Sequence, residues 1–263
     1  MYYEMIGFAQ DQGNTVLSDV PAFAPGETAL FLDFDGVLVE LAETPDGIDV
    51  PPKLVPLLNA LVDATDGAMA LVTGRAISSL RGHLPGFRGV VVGSHGGEID
   101  RGAGIETTVN VDTETVGRLV ELVTAFAKCD AAYIAEPKPT GVVLHFRRNP
   151  DLRGSAYHFL ETILHDIAGF EIHHSKMAFE IRPEGVSKDA AVRRLMGEAP
   201  FDGRRPVYIG DDITDEPALA YCRSVEGVAI KVGEGHTEGN FRLDGVADVR
   251  AYLAWSLSEP ATV

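Results

Sequence analysis

Short apolar runs closed by an aspartate or a glycine recur along this chain, with segments of helical period between them, and that alternation narrows the fold more than any other feature. TALFLDFD, GAMALVTG and GVVVGSHG read as strands, with PPKLVPLLNALVDAT and ISSLRGHL as the helices between them. The pattern resumes with KDAAVRRLMGEA, RPVYIGDD, DEPALAYCRS and GVAIKVG. Strands apolar along their whole length are buried on both faces, so the expected class is α/β, a Rossmann-like parallel sheet with helices on either side. From about Gly104 to Arg182 the grammar changes to helix, strand, strand, helix, strand, strand, with turns such as KPTG joining the strands. That order predicts an inserted α+β unit with an antiparallel sheet. The expected division is a loosely attached leader over 1–26, a core in two parts, 27–103 and 183–263, and a cap domain over 104–182. Joints near 101–104 and 182–186 carry Gly or Pro and could serve as hinges.

Charge limits the partners. Acidic residues outnumber basic ones 39 to 22, a formal charge of −17, which repels phosphate backbones and anionic lipid. The expectation is no nucleic acid, no membrane and a small-molecule ligand; an anionic ligand then needs a local basic pocket or a metal. Cys129 and Cys222 are the only cysteines, no secretory pattern opens the chain, and no apolar stretch reaches the length of a membrane span, so a reducing, cytoplasmic setting is expected.

The strand ends carry the chemistry. Alternation along TALFLDFD puts Asp33 and Asp35 on one face and Phe34 in the packing layer, where the strand ends, and open α/β folds bind ligands beyond the carboxyl ends of their strands; Gly36 allows close approach there. A strand-ending turn explains DFDG taken alone. VYIGDDITDE adds Asp211, Asp212, Asp215 and Glu216, some of which could be ordinary helix caps. Six carboxylates at neighbouring strand ends call for a cation among them, and a hard, oxygen-liganded ion, Mg²⁺ above all, suits them. ALVTGR supplies Thr73, Gly74 and free amides before a helix, an anion site. Lys188 opens a helix, the wrong end for a dipole partner, and suits a phosphate or carboxylate contact. Together these parts suit phosphoryl transfer: one carboxylate attacks phosphorus, and a second handles the proton of the leaving alcohol and then of water.

DFDGV, VTGR, SKD and GDDITDE stand in the order found in phosphatases of the haloacid dehalogenase superfamily, which this chain resembles. The resemblance implies Asp33 as nucleophile, Asp35 as acid and base, and Thr73, Gly74 and Lys188 around the phosphate. It also implies Mg²⁺ held by Asp33, the Asp35 carbonyl and Asp211, with Asp212 or Asp215 in support, and a cap of the larger type. A narrower likeness, to the trehalose-6-phosphate phosphatase family, rests on DFDGVLVELAETPD, LVTGRAISSL, GSHGGEID, EPKPTGVVLHFR, KMAFEIRP and GDDITDE. It implies that Glu136, Lys138, His145, Arg147, Lys176 and Glu180 hold the sugar. Read from the residues alone, these pairs could equally be ion pairs on a solvated sheet face. His95 and Glu98 of SHGGE, and Arg75, are further candidates for substrate contact, with a structural histidine and a surface ion pair as the competing readings. The expected reaction is hydrolysis of trehalose 6-phosphate. Sucrose 6-phosphate, mannosyl-3-phosphoglycerate or a hexose phosphate as substrate, and a catalytically silent sugar-phosphate sensor, are the alternatives.

Overall fold

The computed structural model describes residues 20–42, 47–109, 112–175 and 177–258. At its centre β1 (Thr28–Leu32) is buried along its whole length. It lies parallel to β10 (Arg205–Gly210) on one side and to β2 (Met69–Val72) on the other. Beyond β10 come β11 (Val228–Val232) and β12 (Phe241–Leu243), and beyond β2 comes β3 (Val90–Gly93), all parallel. An antiparallel pair, β4 (Glu98–Asp100) and β5 (Ile105–Thr107), completes an eight-stranded mixed sheet in the order β12-β11-β10-β1-β2-β3-β4-β5.

The apolar runs are continuous because both faces are covered. Leu30, Leu32, Met69 and Leu71 pack with α1 (Leu54–Ala64), α2 (Ile77–His83) and α7 (Val246–Ser258). Ala29, Phe31, Ala70 and Val72 face α5 (Lys188–Met196) and α6 (Glu216–Ser224). Each fully buried Leu or Phe contributes about 1.5–3 kcal/mol, so β1 is a stiff mount for whatever follows it. The insertion folds as expected, with α3 (Thr113–Ala127) and α4 (Arg153–Leu164) laid on an antiparallel sheet of β6 (Ile134–Lys138), β7 (Gly141–His145), β8 (Phe170–Ser175) and β9 (Ala178–Pro183) in the order β6-β7-β9-β8. Asp112 caps α3, its carboxylate accepting from the amides of Glu114 and Thr115.

Four sequence expectations are corrected. β1 ends at Leu32 and not at Asp35, because Phe34 turns into the core and its carbonyl accepts the amides of Leu38 and Val39. The joint at 101–104 is the turn of the β4–β5 hairpin, so β5 belongs to the large sheet and passage into the inserted unit comes after Thr107. The sheet is therefore mixed and not wholly parallel. The part of the leader that is described is not loose: Val20 and Phe23 are buried, and the Tyr252 hydroxyl of α7 donates to the Pro21 carbonyl at 2.9 Å. Residues 1–19 lie outside the described residues. No described helix is long and apolar enough to cross a membrane.

Candidate active site

β10, β1 and β2 are neighbours in the sheet, and the chain leaves β1 in opposite directions to reach them, so their carboxyl ends form a crevice. Asp33, Thr73 and Asp211 are the first residues past those ends. Asp33 and Thr73 are tied down by their amides, which donate to the carbonyls of Ile209 and Val92, both at 2.9 Å. Gly36 shows how closely the loops meet: its φ is +75°, and a Cβ there would lie 2.2 Å from Asp211 Oδ2.

Lys188, the first residue of α5, crosses the crevice. Its buried ammonium donates to Asp33 Oδ2 at 2.7 Å and to Asp215 Oδ1 at 2.8 Å. Although burial disfavours its charge, Asp215 and Asp33 hold the lysine well above its ordinary range. Asp215 is fully engaged. Its Oδ1 also accepts from Tyr208 Oη at 2.6 Å, and its Oδ2 accepts the amides of Asp211 and Asp212 at 3.2 and 3.0 Å. Four donors use the four in-plane lone pairs of a carboxylate. Asp215 therefore positions Lys188 and the Asp211 loop and has no lone pair to spare. The Asp212 amide helps to fix that loop.

Positive charge is short in this cluster. Asp33, Asp211 and Asp215 bring carboxylate oxygens within 4.8 Å of one another. Burial and the Asp215 charge push Asp33 well above the usual carboxylate range against the pull of Lys188, and burial with Asp215 pushes Asp211 up to about 7. A divalent cation with oxygen ligands fits this donor set. Asp33 and Asp211 are the side chains able to hold it, because no described donor occupies the Asp211 carboxylate. The pH dependence follows from linkage. Asp211 released its proton near pH 4 in the unfolded chain and holds it to about 7 when folded. The metal-free protein therefore binds more protons folded than unfolded across that window, and loses stability as pH rises through it. Saturating Mg²⁺ is expected to raise the melting temperature by roughly 5 °C at pH 8 and by much less at pH 5. Thermal melts with and without EDTA at the two pH values measure this; equal shifts would contradict it.

Asp35 lies outside this cluster. Both its oxygens are taken by Arg75, with Nε to Oδ2 at 2.6 Å and Nη2 to Oδ1 at 2.7 Å. Strand alternation predicted one face for Asp33 and Asp35; because the strand has ended, the turn sets Asp35 apart from Asp33, facing the loop after β2. Thr73 is buried, and its Oγ1 accepts the Arg75 amide at 3.2 Å. Glu98, expected beside substrate, is turned inward. Its Oε2 accepts from Ser94 Oγ at 2.8 Å and from the Ile77 amide at 3.2 Å, at the start of α2, so it secures the loop that carries His95. Asp100 pairs with Arg81 at 2.7 Å.

The smaller sheet turns its polar face to the crevice. Register sets Lys138, Gly141, Arg182 and Glu171 in one row, Glu136, Val143, Glu180 and His173 in the next, and Ile134, His145, Ala178 and Ser175 in a third. The opposite face, with Val142, Leu144, Phe179 and Ile181, packs in the apolar layer shared with α3 and α4. Glu136 bridges Lys138 Nζ at 2.7 Å and His145 Nε2 at 2.8 Å. Burial opposes its charge, yet the His145 hydrogen bond and Lys138 together bring its carboxyl down to about 2. Lys138 Nζ also reaches the Gly74 carbonyl at 3.1 Å, and His95 Nε2 lies 3.1 Å from Glu180 Oε2. Glu136, Lys138, His145 and Glu180 thus share one face of the smaller sheet. Arg147 is exposed, two residues past the end of β7. Lys176 lies outside the described residues.

Three further residues of the site, Tyr208, Lys231 and Arg182, lie beyond what the sequence motifs point to. Tyr208 holds Asp215. Lys231, buried in β11, donates to the Asp211 carbonyl. Arg182 and His173 are hydrogen-bonded to each other, with Arg182 Nη1 3.6 Å from Glu180. Lys231 had a visible signal, a charge inside the apolar run GVAIKVG; Arg182 stands two residues from Glu180 on the same strand.

A doubly wound sheet with acidic loops at its switch point and an antiparallel insertion define the fold class of haloacid dehalogenase-like hydrolases. A solved haloacid dehalogenase-like hydrolase from Bacteroides thetaiotaomicron shares the fold, with a TM-score of 0.60 at 15% identity over 86% of this chain and 98% of that one. Within that class, the trehalose-phosphatase profile matches residues 31–247, and this chain belongs to that family. It is 34% identical to the trehalose-6-phosphate phosphatase of Escherichia coli over 90% of this chain and 89% of that protein. It is 28% identical to a trehalose-6-phosphate phosphatase-related protein of Thermoplasma acidophilum over 85% and 94%. A solved trehalose-6-phosphate phosphatase related protein superposes with a TM-score of 0.72 at 26% identity, over 87% of this chain and 96% of that one.

Proposed function

We propose that this protein hydrolyses trehalose 6-phosphate through an aspartyl phosphate on Asp33. The observation that carries the reading is the Lys188 bridge between Asp33 and Asp215 at the switch point, opposite a sheet face bearing Glu136, Lys138, His145 and Glu180. A carboxylate oxygen of Asp33 attacks phosphorus, the bond from phosphorus to the sugar oxygen breaks, and Asp35 gives its proton to the departing alkoxide. Water then attacks the phosphoryl group, Asp35 takes the proton back, and inorganic phosphate leaves with Asp33 restored. Thr73 and Lys188 bind the phosphoryl oxygens. Mg²⁺, held by Asp33, the Asp35 carbonyl and Asp211, would supply charge neutralisation at the phosphate.

Arg75 fits this cycle. Its fork occupies both oxygens of Asp35, so proton delivery requires an N–H to let go, and phosphate oxygens offer the guanidinium an equivalent forked partner. On the sugar side, Glu136 accepts from hydroxyls while Lys138 and His145 fix its orientation.

Two measurements test the reading. Protein quenched in acid during turnover of labelled substrate should retain hydroxylamine-labile phosphate; none on a rapid time scale would remove the intermediate. Glu136→Ala should lower kcat/KM for trehalose 6-phosphate about 10–100-fold, the cost of a hydrogen bond to a charged group, and lower it much less for a small aryl phosphate. An equal loss on both would remove Glu136 from sugar recognition.

A further inference from the structure

His95 occupies an unusual position between the two sheets. Its backbone is left-handed, with φ +56°, a region that residues bearing a side chain seldom enter. The conformation is held by the phosphate loop itself. The His95 amide donates to the Thr73 carbonyl at 3.0 Å, and the Ser94 amide donates to that of Arg75 at 2.8 Å. The ring then lies against Gly74, where a Cβ would come 2.5 Å from His95 Nε2. Only a residue without a side chain fits beneath it.

The same ring nitrogen also faces the inserted sheet, with Nε2 3.1 Å from Glu180 Oε2. Burial, with the positive charges of Lys188, Arg182 and Lys138, pushes His95 well below its ordinary range, so the imidazole is neutral. A neutral ring has one N–H. Nδ1 is buried without a partner, so the single hydrogen of the neutral ring is assigned to Nε2, the nitrogen that faces Glu180. Beside it, Lys138 of the same sheet face donates to the Gly74 carbonyl at 3.1 Å. Both contacts from the inserted sheet land on or against Gly74.

We propose that His95 is a positioning residue that couples the inserted sheet to the phosphate loop, so that seating Glu180 over the crevice and aligning Thr73 and Gly74 occur as one event. The roles of Thr73 and Glu180 rest on the function proposed above; the coupling is a property of the His95 contacts. Its consequence is that Glu180 acts on the phosphoryl end of the substrate through the protein as well as on the sugar.

The test combines a double-mutant cycle with a spectroscopic readout. His95→Ala should lower kcat/KM for trehalose 6-phosphate by about 10–100-fold, as for loss of a hydrogen bond to a charged group. His95→Gln, whose amide can place an N–H near the same point, should recover most of that loss. His95→Ala with Glu180→Ala should cost no more than the worse single variant, since each removes the same contact. Losses that multiply, or a glutamine variant as poor as alanine, would overturn the coupling. Independently of turnover, long-range ¹H–¹⁵N spectra of histidine-labelled protein should show His95 as the Nε2–H tautomer and should move in Glu180→Gln; the Nδ1–H tautomer or an unmoved signal would also overturn it. If trehalose 6-phosphate is not hydrolysed but the spectra respond, the proposed function fails and the coupling stands.

Discussion

Asp33→Asn is expected to lower kcat for phosphate release by at least ~10⁴, the scale on which removal of a covalent nucleophile acts, while its melting temperature improves relative to wild type as pH rises. The two halves of that statement have separate physical causes. An amide cannot form the acyl phosphate. Asparagine keeps an oxygen for the Phe34 amide, which Asp33 Oδ1 accepts at 2.7 Å, but its NH₂ replaces the oxygen that accepts from Lys188, and Lys188 keeps Asp215. The carboxylate being removed is one that burial and the Asp215 and Asp211 charges make costly to ionise. Its raised folded value means that the wild-type chain loses stability as pH rises from the unfolded carboxylate range upward. Without Mg²⁺, the melting temperature of the asparagine variant relative to wild type should therefore rise from pH 5 to pH 8. Turnover within tenfold of wild type would remove Asp33 from the chemistry; a relative melting temperature that falls as pH rises would leave the electrostatic account wrong.

Lys188→Met should damage both stability and activity. The ammonium is 3% exposed and its two partners 6% and 0%. Breaking a buried ion pair by removing one member costs roughly 3–5 kcal/mol, which corresponds to a fall in melting temperature on the order of 10 °C for a chain of this size. Loss of a charged donor at the phosphoryl group should further lower kcat by about 10²–10³. The stability loss should shrink at mildly acidic pH, where Asp211, pushed up to about 7, takes up its proton and the cluster carries less negative charge. Melts from pH 5 to 8 would show the gap widening with pH. A constant gap would mean that the lysine is held by packing and not by charge.

The parts of this account that were legible in the sequence are those with a strong local signal. TALFL, MALV and RPVYIG announce buried strands, and the residues that end them, Asp33, Thr73 and Asp211, fall together because such strands neighbour one another in the sheet. The hairpins bearing Glu136, Lys138 and Glu180 were equally plain, since alternation within a strand assigns faces. What the sequence hid depends on partners far along the chain. Asp215 looks like one more acid of a metal loop until Lys188, Tyr208 and two amides are seen to fill it. Glu98 sits in a motif that suggests ligand contact, yet the open amide at the start of α2 claims it. β5 is three exposed residues, with no apolar period to mark it, so the sequence pattern sets the boundary of the insertion at 104 and not beyond Thr107. Arg147 stands two residues past the end of β7, where strand alternation no longer sets a face.

This crevice is expected to remove phosphate from trehalose 6-phosphate with Mg²⁺ present. The most direct measurement is phosphate release from trehalose 6-phosphate, sucrose 6-phosphate, mannosyl-3-phosphoglycerate and hexose monophosphates, each with Mg²⁺ and with excess EDTA. The account predicts the highest kcat/KM for trehalose 6-phosphate and loss of that activity on chelation, restored by added Mg²⁺. A higher kcat/KM for another sugar phosphate, or release that continues unchanged in EDTA, would contradict it.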